Sequence, residues 1–411
     1  MVNQTKNKKE IEKMKKIVIL ADGSADEPIE ILGGKTPLMA AHTPNIDALC
    51  KMGATGLLKS VPDTLSPGSE VANMMIMGYD AETYYEGRGV LEAAALGIDI
   101  EESDLVMRCN LITTEGEILV NHSAGHISTE EADKLIKALN ENIGSDEIRF
   151  YTGVSYRHVL VIKNGGNEIP VCTPPHDVPG KEFKNYLPSA ESDIADKLID
   201  IILRSRDILN DHPVNKARRE KGKPAANMAW PWSPGHKPAM PSLKELYGIE
   251  SGAVISAVDL IHGLARFAGM DSIHVEGATG LYDTNYKGKA EAAIKALETH
   301  EYVYLHIEAP DEAGHEGDVD LKIRTIEDID RYVAGPVLEY ALKSSEPVAV
   351  ALLPDHPTPC DIRTHTRTPV PFVIYKPGTE PDGVTEFNEE TVKQGRYGTI
   401  YGTEFTELLN S

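Results

Sequence analysis

Cysteine is scarce in this chain. There are four, at Cys50, Cys109, Cys172 and Cys360, with no CxxC pair among them. That favours reduced thiols in a cytoplasmic protein over a disulfide framework. Long apolar runs are missing too: none approaches the roughly 18 residues that a membrane-crossing helix needs, so no membrane partner is expected. The opening MVNQTKNKKEIEKMKK has lysines but no apolar core, which sets aside a secretory signal. It reads as a loose basic tail over residues 1–15, with Met14 as an alternative start. Positive charge is in deficit, 41 Lys and Arg against 64 Asp and Glu, for a net −23. Nucleic acid and anionic membrane both call for a basic face, so neither is an expected partner. An anionic substrate would need local arginine, lysine or metal to reverse the field. No GxxxxGK[ST] nucleotide loop, internal repeat or low-complexity tract is present.

What is present alternates between strand and helix patterns. KIVILADGSADEP (16–28) is a β-branched run ending in a turn, and TPNIDALCKMG (43–53) has Pro at a helix start. STEEADKLIKALNEN (128–142) opens with a Ser-x-x-Glu capping box, and AESDIADKLIDIILRSRDIL (190–209) reads as a helix buried on two sides. The chain between about 210 and 250 holds both tryptophans among Pro and Lys, and reads as an irregular connection, a lip over a site. Alternation resumes with helix 287–300, strand 301–307, a helix over 318–335 stopped by Gly335 and Pro336, and strands 347–353 and 369–375. This rhythm predicts an α/β fold with a mainly parallel sheet flanked by helices. The hairpin-like NLITTEGEILV (110–120) breaks the rhythm and points to an inserted domain.

Open α/β sheets bind ligands beyond the carboxyl ends of their strands. ALLPDHPTPC (351–360) sets Asp355 and His356 just past such an end. EAPDEAGHEGD (308–318) puts Asp311 and His315 on a loop after strand 301–307. Asp22 follows the first strand, and His365 in RTHTRTPVPF precedes another. Asp and His ligands without cysteine suit Mn²⁺ or Zn²⁺, and Mg²⁺ less well. Six ligands are too many for one ion with an open position and fit two, an arrangement that serves phosphoryl transfer. TLSPGSEVANMMIMGYD (64–80) supplies a nucleophile, Ser69, before a predicted helix whose N-terminus suits a phosphate. A serine there could equally be a helix cap.

ADGSADEP, TPNIDALCKMGATG, PGSEVANMMIMGYD, EGRGVLEAAALGI, EAPDEAGHEGD, LLPDHPTP and THTRTPVPF together resemble the alkaline-phosphatase superfamily. Within it they are similar to the archaeal-type branch of the cofactor-independent phosphoglycerate mutases, over nearly the whole chain and in order. The resemblance implies an alkaline-phosphatase-like core over 16–105 and 235–411, with an inserted α+β cap or substrate domain at 106–234. It implies that Ser69 is the phosphorylated serine. Asp311, His315 and His365 would hold one divalent ion, and Asp22, Ser69, Asp355 and His356 the other. The family's usual ion is Mn²⁺, with Mg²⁺, Co²⁺ or Zn²⁺ in some members, and no bisphosphoglycerate is required. The substrate would be a small phosphorylated metabolite, interconverted between 3- and 2-phosphoglycerate. Whether the chain is a monomer or a homo-oligomer is left open.

A carboxylate and a phosphate call for cationic contacts. The candidates are Arg88, Arg157 and His158, Lys287 or Lys289, and His176 with Asp177 in CTPPHDVPGK. Two segments depart from the archaeal-type pattern: SAGHISTEE has His126 where Ala-Gly-Arg is common, and NMAWPWSPGHKP stands where an Arg-Gly segment is common. The departures resemble a bacterial subgroup proposed as homoserine kinases, which keeps that activity as an alternative. A metal-dependent phosphatase is the second alternative.

Overall fold

A computed structural model of the protein describes residues 14–191 and 193–411. The expected basic tail lies outside the described residues except for its last two positions. Lys15 is not part of a tail: it opens the strand Lys15–Ala21 and its Nζ pairs with Glu346 at 2.5 Å.

The described chain divides into two compact units, one made of residues 14–85 and 240–411, the other of 86–239. The first is built on an eight-stranded sheet in the order Thr399–Tyr401, Ala54–Lys59, Val370–Tyr375, Val348–Leu353, Lys15–Ala21, Tyr302–Ile307, Gly252–Ile255 and Asp271–Ile273. Val370–Tyr375 runs antiparallel to both its neighbours, and the other pairs are parallel. Strands Tyr302–Ile307 and Val348–Leu353 are buried at every position, as their unbroken apolar runs require in a sheet covered on both faces. Apolar faces of the helices Pro44–Met52, Tyr286–Ala296, Val319–Ile329 and Gly335–Lys343 close the core with Ile46, Ala293, Ile326 and Val337. The predicted α/β class with a mainly parallel sheet is the one observed.

One predicted stop is wrong. Gly335 and Pro336 do not end the helix that begins near 318. Helix Val319–Ile329 widens into a π turn at Asp330–Ala334 and continues as Gly335–Lys343. The wider turn lets Pro336 take a first-turn position, where its missing N–H costs nothing.

The second unit carries a five-stranded sheet. Leu105–Glu115 pairs antiparallel with Ile118–Asn121, Arg157–Ile162 and Met228–Gly235, and Ile148–Tyr151 pairs with Arg157–Ile162. Helices Thr129–Asn142 and Asp193–Asn210 pack Leu135, Leu139, Leu198 and Ile201 into its core. Within this unit helix Arg88–Ala95 packs on Leu105–Glu115 and Met228–Gly235. The expected irregular lip at 210–250 is instead a helix, Pro213–Glu220, followed by strand Met228–Gly235. Its prolines Pro231 and Pro234 hid the strand pattern; a strand paired along one side tolerates them. No described helix is long and apolar enough to cross a membrane.

Candidate active site

Three adjacent strands of the first unit aim their carboxyl ends at one place. Asp22 follows Lys15–Ala21, Asp355 and His356 follow Val348–Leu353, and Asp311 and His315 follow Tyr302–Ile307. The last pair is not on a loop as expected. Ala309–Glu316 is a short helix, begun with Pro310 in its first turn and ended by left-handed Gly317. The spacing of four places Asp311 and His315 on one face, with Asp311 Oδ2 3.2 Å from His315 Nε2. Gly23 lets the chains meet: its φ is +62°, and a Cβ there would lie 2.6 Å from Asp311 Cα.

The imidazoles converge through their Nε2 atoms. His315 Nε2 and His365 Nε2 are 3.0 Å apart, and the His356 and His365 rings stack at 4.0 Å. On the other side of the rings, His315 Nδ1 meets Arg363 O at 3.0 Å and His365 Nδ1 meets Pro67 O at 3.4 Å. A carbonyl can only accept, so Nδ1 of each ring carries a proton, and the Asp311 carboxylate beside Nε2 raises the His315 ring to about 9. A divalent cation at the two Nε2 atoms would take the place of that second proton and leave each ring as a metal-bound histidine, its Nδ1–H donating to an oxygen.

The donors fall into two groups, each with ligand atoms within 4.8 Å of one another: Asp311, His315 and His365, and Asp22, Asp311 and His356. Asp311 belongs to both. Asp22 Oδ1 is buried without a partner, while burial and then the carboxylates of Asp355 and Asp311 push its carboxyl well above the usual range. Divalent cations would relieve this crowding, so the residues fit the group. Asp355 is not in either cluster of donors. Its Oδ1 accepts the N–H of Gly23 at 3.2 Å and of His356 at 2.9 Å, and its Oδ2 accepts Asn73 Nδ2 at 2.8 Å while standing 3.3 Å from His356 Nε2.

Ser69 opens the helix Ser69–Ile76, with Oγ 3.1 Å from His356 Nε2. It is not the cap. Gly68 holds that position, and no side chain caps this helix.

Several site residues had no sequence signal in the reading above. Asn73 Nδ2 bonds both Ser69 O and Asp355 Oδ2, and Tyr304 donates to Asn73 Oδ1 at 2.6 Å. His306 Nε2 donates to Asp22 Oδ2 at 2.8 Å, and its Nδ1 meets Ser256 Oγ at 3.1 Å. Burial holds the His306 imidazolium down to about 3, so the ring is neutral and steers the free Oδ1 of Asp22 inward. Tyr304 and His306 are two apart on one face of a buried strand, a polar period of two inside an apolar run that could have found them.

Lys287 lies over the Tyr332 ring at 5.0 Å on the surface. Lys289 has no exposed surface; its Nζ bonds Thr279 O and His306 O, and burial lowers it to about 8. Neither stands as a free cationic contact, because one is engaged by an aromatic ring and the other by internal carbonyls.

The other candidates belong to the second unit. Arg108 stacks over Trp232 at 4.7 Å and pairs with Glu92 at 3.1 Å. Burial lowers the Arg108 guanidinium's hold on its proton, Glu92 opposes this, and Arg88 and Arg157 add to it. Trp232 Nε1 donates to Asn110, and the His176 ring meets Trp232 edge-on at 5.3 Å. His122 and His126 meet Tyr156 at 6.1 and 5.7 Å. His126 ends a run of three left-handed residues, Ala124, Gly125 and His126, pinned where Arg218 donates to Ala124 O at 2.7 Å. His176 Nε2 is 3.7 Å from Asp177 Oδ1, both exposed. Arg88, Arg157, His126 and His176 thus share a cationic, aromatic face with Arg108, His122, Tyr156 and Trp232.

His158 points the other way. It is buried, and its Nδ1 accepts the Gly153 N–H at 3.1 Å. Burial holds its pKa to about 3. Below about 6.5 the unfolded chain binds a proton that the folded chain refuses, so stability falls as pH drops from 6.5 toward 3. The expected loss at pH 5 is about 2 kcal/mol. Urea titrations at pH 7 and pH 5 measure it. His158→Asn, which keeps an acceptor for Gly153, should remove this share of the dependence while His306 keeps its own; an unchanged slope would contradict the assignment.

A family model described as 2,3-bisphosphoglycerate-independent phosphoglycerate mutase matches residues 50–215. A curated enzyme of that description from Methanosarcina mazei is 48% identical over 397 residues, covering 96% of this chain and 99% of its own. Among solved structures, a Pyrococcus horikoshii protein matches with a TM-score of 0.83 at 31% identity, over 97% of this chain and 96% of its own. The cofactor-independent phosphoglycerate mutase of Thermoplasma acidophilum matches with a TM-score of 0.70 at 29% identity, over 96% and 98%.

Proposed function

This chain belongs to the 2,3-bisphosphoglycerate-independent phosphoglycerate mutases, and we propose that it interconverts 3- and 2-phosphoglycerate by passing the phosphoryl group through Ser69. The observation that carries the site reading is the 3.0 Å approach of His315 Nε2 and His365 Nε2 around the Asp311 carboxylate, beside a buried unpartnered Asp22 Oδ1. Divalent ions, of which Mn²⁺ suits the Asp and His donors, would be held by Asp311, His315 and His365 and by Asp22, Asp311 and His356, and would supply Lewis acidity that lowers the Ser69 hydroxyl pKa and offsets phosphoryl charge.

Ser69 Oγ, deprotonated, attacks phosphorus; the bond from phosphorus to the glycerate 3-oxygen breaks and that oxygen takes a proton. The glycerate 2-hydroxyl then gives up a proton and attacks the phosphoserine, and Ser69 Oγ leaves. No net proton or water is consumed. Helix Ser69–Ile76 directs its N-terminal N–H groups toward the phosphoryl group. Asn73 holds the Ser69 carbonyl against Asp355, which fixes the nucleophile's backbone. Four free cysteines suit a cytoplasmic setting. Relatives named as mutases over the whole chain do not favour the homoserine kinase or phosphatase alternatives.

The test uses purified protein with Mn²⁺ and 3-phosphoglycerate, without ATP or bisphosphoglycerate, and couples 2-phosphoglycerate formation to enolase. Turnover that EDTA abolishes and Mn²⁺ restores is expected. Phosphohomoserine from a parallel tube with homoserine and ATP, and none from the mutase assay, would overturn the substrate.

A further inference from the structure

Lys322 lies in helix Val319–Ile329 with no exposed surface. Its Nζ donates to Ala25 O at 3.0 Å, to Thr358 O at 2.9 Å and to Asp26 Oδ2 at 2.8 Å. A buried ammonium is costly unless all its protons are used, and here three acceptors meet three N–H groups.

The positions of those acceptors matter more than their number. Ala25 and Asp26 are in the turn that carries Asp22, and Thr358 is in the turn that carries Asp355 and His356. Lys322 sits on the helix after the one that bears Asp311 and His315. Asp26 Oδ2 also accepts the Cys360 N–H at 3.1 Å, a second tie between the first two turns. Thr358 Oγ1 donates to Asp311 Oδ1 and lies 3.3 Å from His356 Nδ1. The hydroxyl that orients Asp311, the ligand in both groups, therefore hangs from the peptide whose carbonyl Lys322 holds.

Resting on the metal reading above, we propose that Lys322 is a positioning residue for both ion groups. It ties the three ligand-bearing segments to one buried cation, so that mutually repelling carboxylates stay in register. A lysine that served only to hold the fold would affect melting and nothing else.

Lys322→Met alone leaves Asp26 charged and buried, so the informative variant is Lys322→Met with Asp26→Asn, which removes both charges and retains an acceptor for Cys360. The double variant should melt within about 5 °C of wild type. Its Mn²⁺ affinity, read by calorimetry and by electron paramagnetic resonance of free Mn²⁺, should fall by about tenfold or more. At saturating Mn²⁺ its kcat should return to within about threefold of wild type. A folded double variant with wild-type Mn²⁺ affinity overturns the proposal. Should it not fold, Asp26→Asn alone carries the test: weaker Mn²⁺ binding supports the role and unchanged binding overturns it. A wild-type chain that binds no divalent ion overturns the metal reading itself, and is told apart by that control.

Discussion

Ser69→Ala lowers phosphoglycerate mutase turnover by about a thousandfold or more, with melting temperature and Mn²⁺ stoichiometry close to wild type. The stability expectation follows from the helix start. Gly68 is the cap and the Ser69 side chain makes no capping bond, so alanine removes no helix contact. The loss in rate follows from the proposed chemistry: the hydroxyl at 3.1 Å from His356 Nε2 would be the atom that takes the phosphoryl group. Wild type quenched during turnover should yield a phosphorylated peptide spanning Ser69, and the variant none. Activity within tenfold of wild type would remove Ser69 from the mechanism.

Asp311→Asn has the second large effect. The Asp311 carboxylate belongs to both groups of donors, whereas His365 belongs to one. The amide retains the shape and an acceptor for Thr358 but loses the charge and one lone-pair oxygen. Metal analysis after dialysis should show both ions lost, and turnover should fall by about a thousandfold at moderate Mn²⁺. His365→Ala should lose one ion and leave the Asp22, Asp311 and His356 group able to bind. Equal metal content in Asp311→Asn and wild type would contradict a shared ligand. It would then favour a separate role for Asp311 as the acceptor of His315 and Thr358.

The proposed ligands were legible because each stands beside a strand boundary, and strand ends show plainly in sequence as an apolar run followed by Asp, Pro or Gly. The spacing of Asp311 and His315 was read as a loop because eight residues with one glycine and a proline are too short and too broken to carry a helical period. The strand Met228–Gly235 was unreadable for a related reason: two prolines replace the N–H groups that a ladder would use, so only its partner Leu105–Glu115 identifies it. Asn73 and Lys322 sit inside regular elements, where nothing in composition separates a side chain that orients a ligand from one that fills a core, and His306 and Tyr304 show only as two polar residues at a period of two in an apolar strand. Their role comes from the register between elements far apart in the chain, such as Leu20 opposite His306, which no local pattern contains.

The insertion of the second unit between residues 85 and 240 also sets an order in time. On the ribosome, Asp22 and Ser69 emerge first, then the whole of the inserted unit, and only afterwards Asp311, His315, Asp355, His356 and His365. Strand Lys15–Ala21 has both its partners, Tyr302–Ile307 and Val348–Leu353, in the last part to be made. Until then it is a buried-type strand with two bare edges, a form prone to pairing with other chains. The inserted unit, with its own sheet and core, can fold while the first strand waits. A nascent or truncated chain would therefore hold the proposed nucleophile without the proposed ligand set, and phosphoryl transfer by that site would begin only when synthesis is nearly complete.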